Sequence, residues 1–190
     1  NYDAQNNLLL TYSAFSYCPS KYLLEAEKFG IKLSQSVHRK YTKWSCNREL
    51  GIRRIGFVSG DFRNHPVGYF LENVLLNLKH LGLELYAYSN DGYRDELTSR
   101  LESNFVKWQT IVGISDEKAA ELVHADEIDV LIDLSGHTAK GRLGIFARKP
   151  APLQISWLGY WASTGVSEID YIIGDPYVTP PDDDLNFSEK

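Results

Sequence analysis

The run "IDVLIDLSG", Ile128 to Gly136, constrains the fold more than any other stretch of this chain. Its apolar residues follow one another with little in–out alternation, so a strand here needs apolar cover on both faces. Helices supply that cover when parallel strands are joined by helical crossovers. The neighbouring sequence agrees. From Arg53 onward, strand-like runs ("RIGFVSG", "ELYAYSN", "KWQTIV", "LQISWLGY", "DYIIGDP") alternate with helical ones ("PVGYFLENVLLNLKHLG", "DELTSRLESNF", "SDEKAAELVHADE", "KGRLGIFARKP"). In the first helical run Val67, Phe70, Leu71, Val74, Leu75 and Leu78 recur at the 3.6-residue period. Gly82 stands where a helix C-cap is expected. The predicted class is α/β: a Rossmann-like, doubly wound parallel sheet over residues 51–190.

Residues 1–50 read differently, as a short helical segment and linker. "SKYLLEAEKFGIKLSQSV" has helical apolar spacing, with Pro19 and Ser20 as start signals, and needs something to pack against. "YTKWSCNREL" reads as the linker, and "HRKYTK" as a solvated face. The tail "PPDDDLNFSEK" reads as an acidic turn leading out, where a second domain would begin. Methionine is absent, which suggests an internal segment; removal of a start residue or leader would also explain the first end.

The net charge of -5 argues against a broad phosphate-binding surface, hence against nucleic acid as partner. No apolar stretch approaches the roughly 20 residues of a membrane span. No signal-peptide pattern opens the chain. Cys18 and Cys46 lack metal-ligand spacing, and two thiols in a reducing cytoplasm is the plainer account, with a disulfide as the alternative.

In an open parallel sheet, ligands bind beyond the carboxyl ends of the strands, where strand order reverses. Four stretches fall there: "SGDFRNHPVG", "SGHTAKG", "GYWASTG" and "GDPYVTPP". His65 precedes Pro66, which suits the first helical position because its missing N–H would be unpaired there. The positive end of that helix disfavours an imidazolium and leaves a neutral ring able to accept a proton or hold a substrate. Its free N–H groups also suit an anion such as a pyrophosphate. A histidine that merely caps the helix is the structural alternative. At the fourth strand, Gly136 admits close backbone approach beside His137, Thr138 offers a hydroxyl and Lys140 a charge. An ordinary capped turn would look the same. Asp133 reads as a buried, hydrogen-bonded residue. Tyr160 and Trp161 offer rings for sugar C–H faces, Ser163 and Thr164 hydroxyls for its polar groups, and Trp157 belongs to the core. His38, His80 and His124 are read as surface residues. Dinucleotide and phosphate-loop glycine motifs, a nucleophile elbow and a metal-ligand cluster are all missing from the sequence.

The blocks "RRIGFVSGDFRNHPVGYF", "IDVLIDLSGHTAKGRLGIFARKPAPLQISWLGY" and "IDYIIGDPYVTP" resemble the N-terminal catalytic half of the O-linked N-acetylglucosamine transferase family, glycosyltransferase family 41, in particular its bacterial members. The resemblance implies a GT-B architecture and inverting, metal-independent transfer from a UDP-sugar to an acceptor protein, with no cofactor. It maps the family's His-Pro motif onto His65 and Pro66, that histidine being a proposed general base. It sets Gly136, His137 and Thr138 near sugar and acceptor, and matches the P-A-P-x-Q block to Pro150, Ala151, Pro152 and Gln154. It also implies an upstream tetratricopeptide array and a C-terminal Rossmann-like domain gripping UDP, so the chain alone should turn nothing over. Trp161 and Ala162 stand where animal members have Pro-Gly, so sugar and acceptor preference do not carry over. The expected site is therefore His65 as catalytic residue, with Pro66, Gly136, His137, Thr138, Tyr160 and Thr164 binding substrate. Alternatives are a transferase using UDP-glucose or Asn acceptors, and a non-catalytic sugar-nucleotide-binding or interaction module.

Overall fold

A computed structural model describes residues 2–15, 18–45 and 53–190. Its elements are α1 (Tyr2–Phe15), α2 (Pro19–Gln35), β1 (Arg53–Ser59), α3 (Pro66–Leu78), β2 (Leu83–Ser89), α4 (Glu96–Glu102), β3 (Lys107–Thr110), α5 (Asp116–Ala125), β4 (Val130–Asp133), α6 (Leu143–Phe146), β5 (Leu153–Trp157) and β6 (Tyr171–Ile173). The six strands form one sheet in the order β3-β2-β1-β4-β5-β6, and every pairing is parallel. This is the doubly wound Rossmann-like order, which reverses direction between β1 and β4.

Successive residues of the central strands enter opposite cores, as the unalternating sequence requires. Phe57, Ala87 and Ile132 face Leu71 and Leu75 of α3 and Leu97 and Leu101 of α4. Val58, Tyr88 and Leu131 face the other side, with Ala120 and Val123 of α5 and Ile145 of α6. Fully burying each large apolar side chain contributes about 1.5–3 kcal/mol, so both layers are needed. Gly82 ends the turn after α3 at φ 68, the left-handed conformation that glycine adopts without strain.

What the helical segment packs against is the sheet domain itself. Pro19 opens α2, and Tyr22, Ala26, Phe29, Gly30 and Leu33 make one buried stripe at helical spacing. That stripe shares its core with Leu131, Tyr160, Val166 and Ile169. The backbones nearly touch: a Cβ on Gly30 would lie 1.7 Å from Gly165 O, and one on Gly165 2.1 Å from Ala26 O. Part of the basic run is a strap rather than a solvated face. Tyr41 N–H donates to Arg148 O (2.9 Å), its ring stacks on His124 at 3.9 Å, and Lys40 pairs with Glu168. His124 is thus half-buried, whereas His38 and His80 are exposed. Trp44 Nε1 donates to Lys149 O (3.0 Å), so the expected linker begins as packed chain; its residues 46–50, with Cys46, lie outside the described residues. α6 is shorter than its sequence run because the chain turns at Lys149 (φ 53) ahead of Pro150. Among the described residues no helix is long and apolar enough to cross a membrane.

Candidate functional site

The reversal of strand order puts the loops after β1 and β4 side by side at the carboxyl edge. They touch, since a Cβ on Gly60 would lie 2.4 Å from Lys140 Cβ. His65 is the N-cap of α3 and Pro66 its first residue. The ring's Nδ1 accepts from Val67 N–H at 3.3 Å, so in the neutral ring the proton sits on Nε2, the nitrogen left for a ligand. Asp61 Oδ2 stands 4.0 Å from Nδ1, longer than a hydrogen bond, and the His65 side chain is 38% exposed. Around this pair runs a charged chain that the sequence did not announce. Arg63 reaches Asp61 Oδ1 (3.1 Å) and Asp91 Oδ2 (3.2 Å), and Lys140 closes on Asp91. Burial raises the Asp91 carboxyl, but hydrogen bonds from Lys140 and Tyr93 N–H and the two cations hold it below its usual range. Lys140, expected to meet an anion, is therefore already paired. The missed signal was positional: Asp91 lies two residues past the carboxyl end of β2.

The turn after β4 is built inward. Asp133 is fully buried and accepts from Gly136 N–H (2.7 Å) and Ser135 N–H (3.2 Å). Burial pushes its carboxyl up to about 7 against those two donors, and Glu189 adds to the rise. Gly136 has φ 52, and a Cβ there would lie 2.5 Å from Tyr160 Cβ, so the close approach is to Tyr160. The Thr138 hydroxyl donates to Ser135 O (2.6 Å). His137 is 1% exposed; its Nε2 lies 2.9 Å from Thr164 O and its Nδ1 2.8 Å from Asn6 Oδ1. Burial pushes this imidazole down to about 4, with the Thr164 bond opposing.

Tyr160 and Thr164 also turn inward. Tyr160 OH lies 2.7 Å from Tyr22 OH. Thr164 gives its N–H (2.8 Å) and its hydroxyl to Glu189 Oε1. Of the expected site residues, His65, Pro66 and Thr138 are open to solvent, whereas the side chains of His137, Tyr160 and Thr164 are closed off. Trp161 does lie open, at 47% exposure. It is a shared wall of two clefts, one of about 290 Å³ beside Trp157, Asp175 and Thr179, the other of about 180 Å³ beside Tyr12 and Phe187. Neither is lined by His65. Among the described residues no three His, Cys, Asp or Glu side chains are grouped to hold a metal ion.

Comparison with known proteins bears on the chain as a whole. The model of glycosyl transferase family 41 matches residues 27–190. The probable UDP-N-acetylglucosamine–peptide N-acetylglucosaminyltransferase SPINDLY of Oryza sativa subsp. japonica is 37% identical over 166 residues, covering 84% of this chain and 18% of the relative. The UDP-N-acetylglucosamine–peptide N-acetylglucosaminyltransferase of Caenorhabditis elegans is 37% identical over 163 residues, covering 83% and 12%. A solved mutant O-GlcNAc transferase from Thermobaculum terrenum superposes with a TM-score of 0.90 at 35% identity, covering 100% of this chain and 36% of that one. The chain thus spans less than a fifth of either curated relative. By its sequence and by its fold, it belongs to glycosyl transferase family 41.

Proposed function

We propose that this chain is the N-terminal catalytic half of an inverting protein glycosyltransferase, moving N-acetylglucosamine from UDP-GlcNAc to Ser or Thr hydroxyls. The observation that carries the reading is His65, capping α3 with a half-exposed ring beside the β1–β4 crevice of a family 41 chain. In the reaction the acceptor oxygen attacks the sugar's anomeric carbon from the face opposite the diphosphate. The bond from that carbon to the diphosphate oxygen breaks, UDP leaves, and the hydroxyl proton passes to a base.

The capping bond bears on the part His65 plays. With Nδ1 accepting from Val67, Nε2–H donates, which suits a group that orients the acceptor oxygen or holds the diphosphate. To serve as base, the ring must release Val67 and adopt the other tautomer, its proton moved from Nε2 to Nδ1 and donated toward Asp61, which leaves the Nε2 lone pair to take the hydroxyl proton. The substrate-binding set is Pro66, Gly136, His137, Thr138, Tyr160 and Thr164. The last two and His137 act through the backbone they hold, since their side chains are turned inward. A C-terminal Rossmann-like domain and an upstream tetratricopeptide array complete the protein. Metal-independent, cofactor-free chemistry and a cytoplasmic setting belong to the same reading. A second reading keeps this geometry with UDP-glucose as donor or Asn as acceptor.

Mass spectrometry of acceptor proteins incubated with the full-length polypeptide and each donor separates these. N-acetylhexosamine on Ser or Thr is expected. Hexose, or modification of Asn, would favour the second reading. No transfer from either donor would overturn both and leave a non-catalytic module.

A further inference from the structure

We infer that His137 is a positioning residue, its ring pinning the Gly136–Thr138 turn and the 160–165 loop to α1 and α2, so that the helical hairpin sets the geometry of the carboxyl edge. The inference rests on the proposed transferase reading only for its catalytic consequence.

Four residues close on the ring. Asn6 of α1 lies 2.8 Å from Nδ1, and Phe29 of α2 stands edge-on with centroids 4.7 Å apart. Thr164 O lies 2.9 Å from Nε2, and Tyr160 stands edge-on at 5.3 Å. A ligand therefore cannot touch the ring unless α1 or α2 first moves away. The polar chemistry agrees. A carbonyl only accepts, so Nε2 carries the proton, and a buried neutral ring then uses Nδ1 as acceptor, with the Asn6 amide turning its nitrogen toward it.

A second set of contacts ties the same pieces independently of His137. Tyr22 OH donates to Ser163 O (2.6 Å) and meets Tyr160 OH (2.7 Å). Beyond them, Glu189 takes the N–H and hydroxyl of Thr164 and the hydroxyl of Ser163 (2.7 Å). A shift of α2 acts on Tyr160 and Ser163 through the Tyr22 bonds, and on the turn through His137.

The test begins with this chain as it stands. Nitrogen-15 imidazole spectra should show His137 neutral at mildly acidic pH, protonated on Nε2, with slow solvent exchange. Ordinary titration and fast exchange would overturn the inference. Asn6→Ala lies on α1, remote in sequence from the turn. It should speed amide exchange at Gly136, His137 and Thr164 by roughly tenfold or more, as loss of one buried hydrogen bond does; unchanged exchange would overturn the inference. His137→Gln keeps a donor for Thr164 O and should retain more protection than His137→Leu; equal behaviour of the two would count against it. In the full-length protein Asn6→Ala should lower kcat at little changed donor KM, and an unchanged kcat would refute the catalytic consequence. If wild type transfers no sugar at all, the transferase reading fails while the spectroscopic arms still decide the role of His137.

Discussion

His137→Gln and Asp133→Asn should tilt the pH dependence of stability in opposite directions. Burial raises the Asp133 carboxyl from 3.8 to about 7 and lowers the His137 imidazole from 6.5 to about 4. Between those two His137 values the unfolded chain binds a proton that the folded chain does not, so stability from this group rises with pH, about 1.4 kcal/mol per unit. Asp133 does the reverse. Its folded carboxyl keeps a proton that the unfolded one loses, so its contribution falls with rising pH at about the same rate. In wild type the two slopes cancel over the shared window. Removing His137 should make the variant-minus-wild-type stability fall by about 3 kcal/mol as pH rises through that window, and removing Asp133 should make the difference rise by about 4 kcal/mol up to near pH 7. Urea unfolding followed by circular dichroism at several pH values measures both, because taking differences cancels every group common to the two proteins. Two flat differences would contradict the opposed shifts of Asp133 and His137.

Tyr22→Phe leaves Ser163 O without its donor, and should lower unfolding stability by about 1–3 kcal/mol at unchanged urea m-value. Gly165→Val forces a branched side chain into φ 69 and against Ala26 O, so limited proteolysis should release α1 and α2 while the sheet domain stays resistant. A chelator added to the full-length protein should leave its transfer rate unchanged; loss restored by a divalent cation would contradict the metal-independent reading.

The sheet was legible because its signal is local. "VLIDL" and the Val67–Leu78 periodicity each state their own burial, and the parallel order follows from their alternation. His65 and Pro66 were legible as helix cap and first residue for the same reason: the capping chemistry is written in adjacent positions. What sequence did not reveal depends on contacts far along the chain. Nothing near His137 announces Asn6, which is brought to it only when α1 folds back onto the sheet. Thr164 looked like a sugar-binding hydroxyl because Glu189, its actual partner, belongs to a tail that read as a turn leading away. Lys140 looked available to an anion until β2 set Asp91 beside it. At this edge, then, residue type and strand-end position identified the place, and long-range pairing decided which groups remained open.

The most direct test is the single-turnover transfer rate of the full-length protein carrying His65→Ala, measured beside its urea midpoint and donor affinity. The expected rate is lower by roughly 10²–10⁴-fold with folding intact, the contribution of a general acid–base or orienting group at the reacting centre. A rate near that of wild type would contradict the placement of the reaction at the β1–β4 edge.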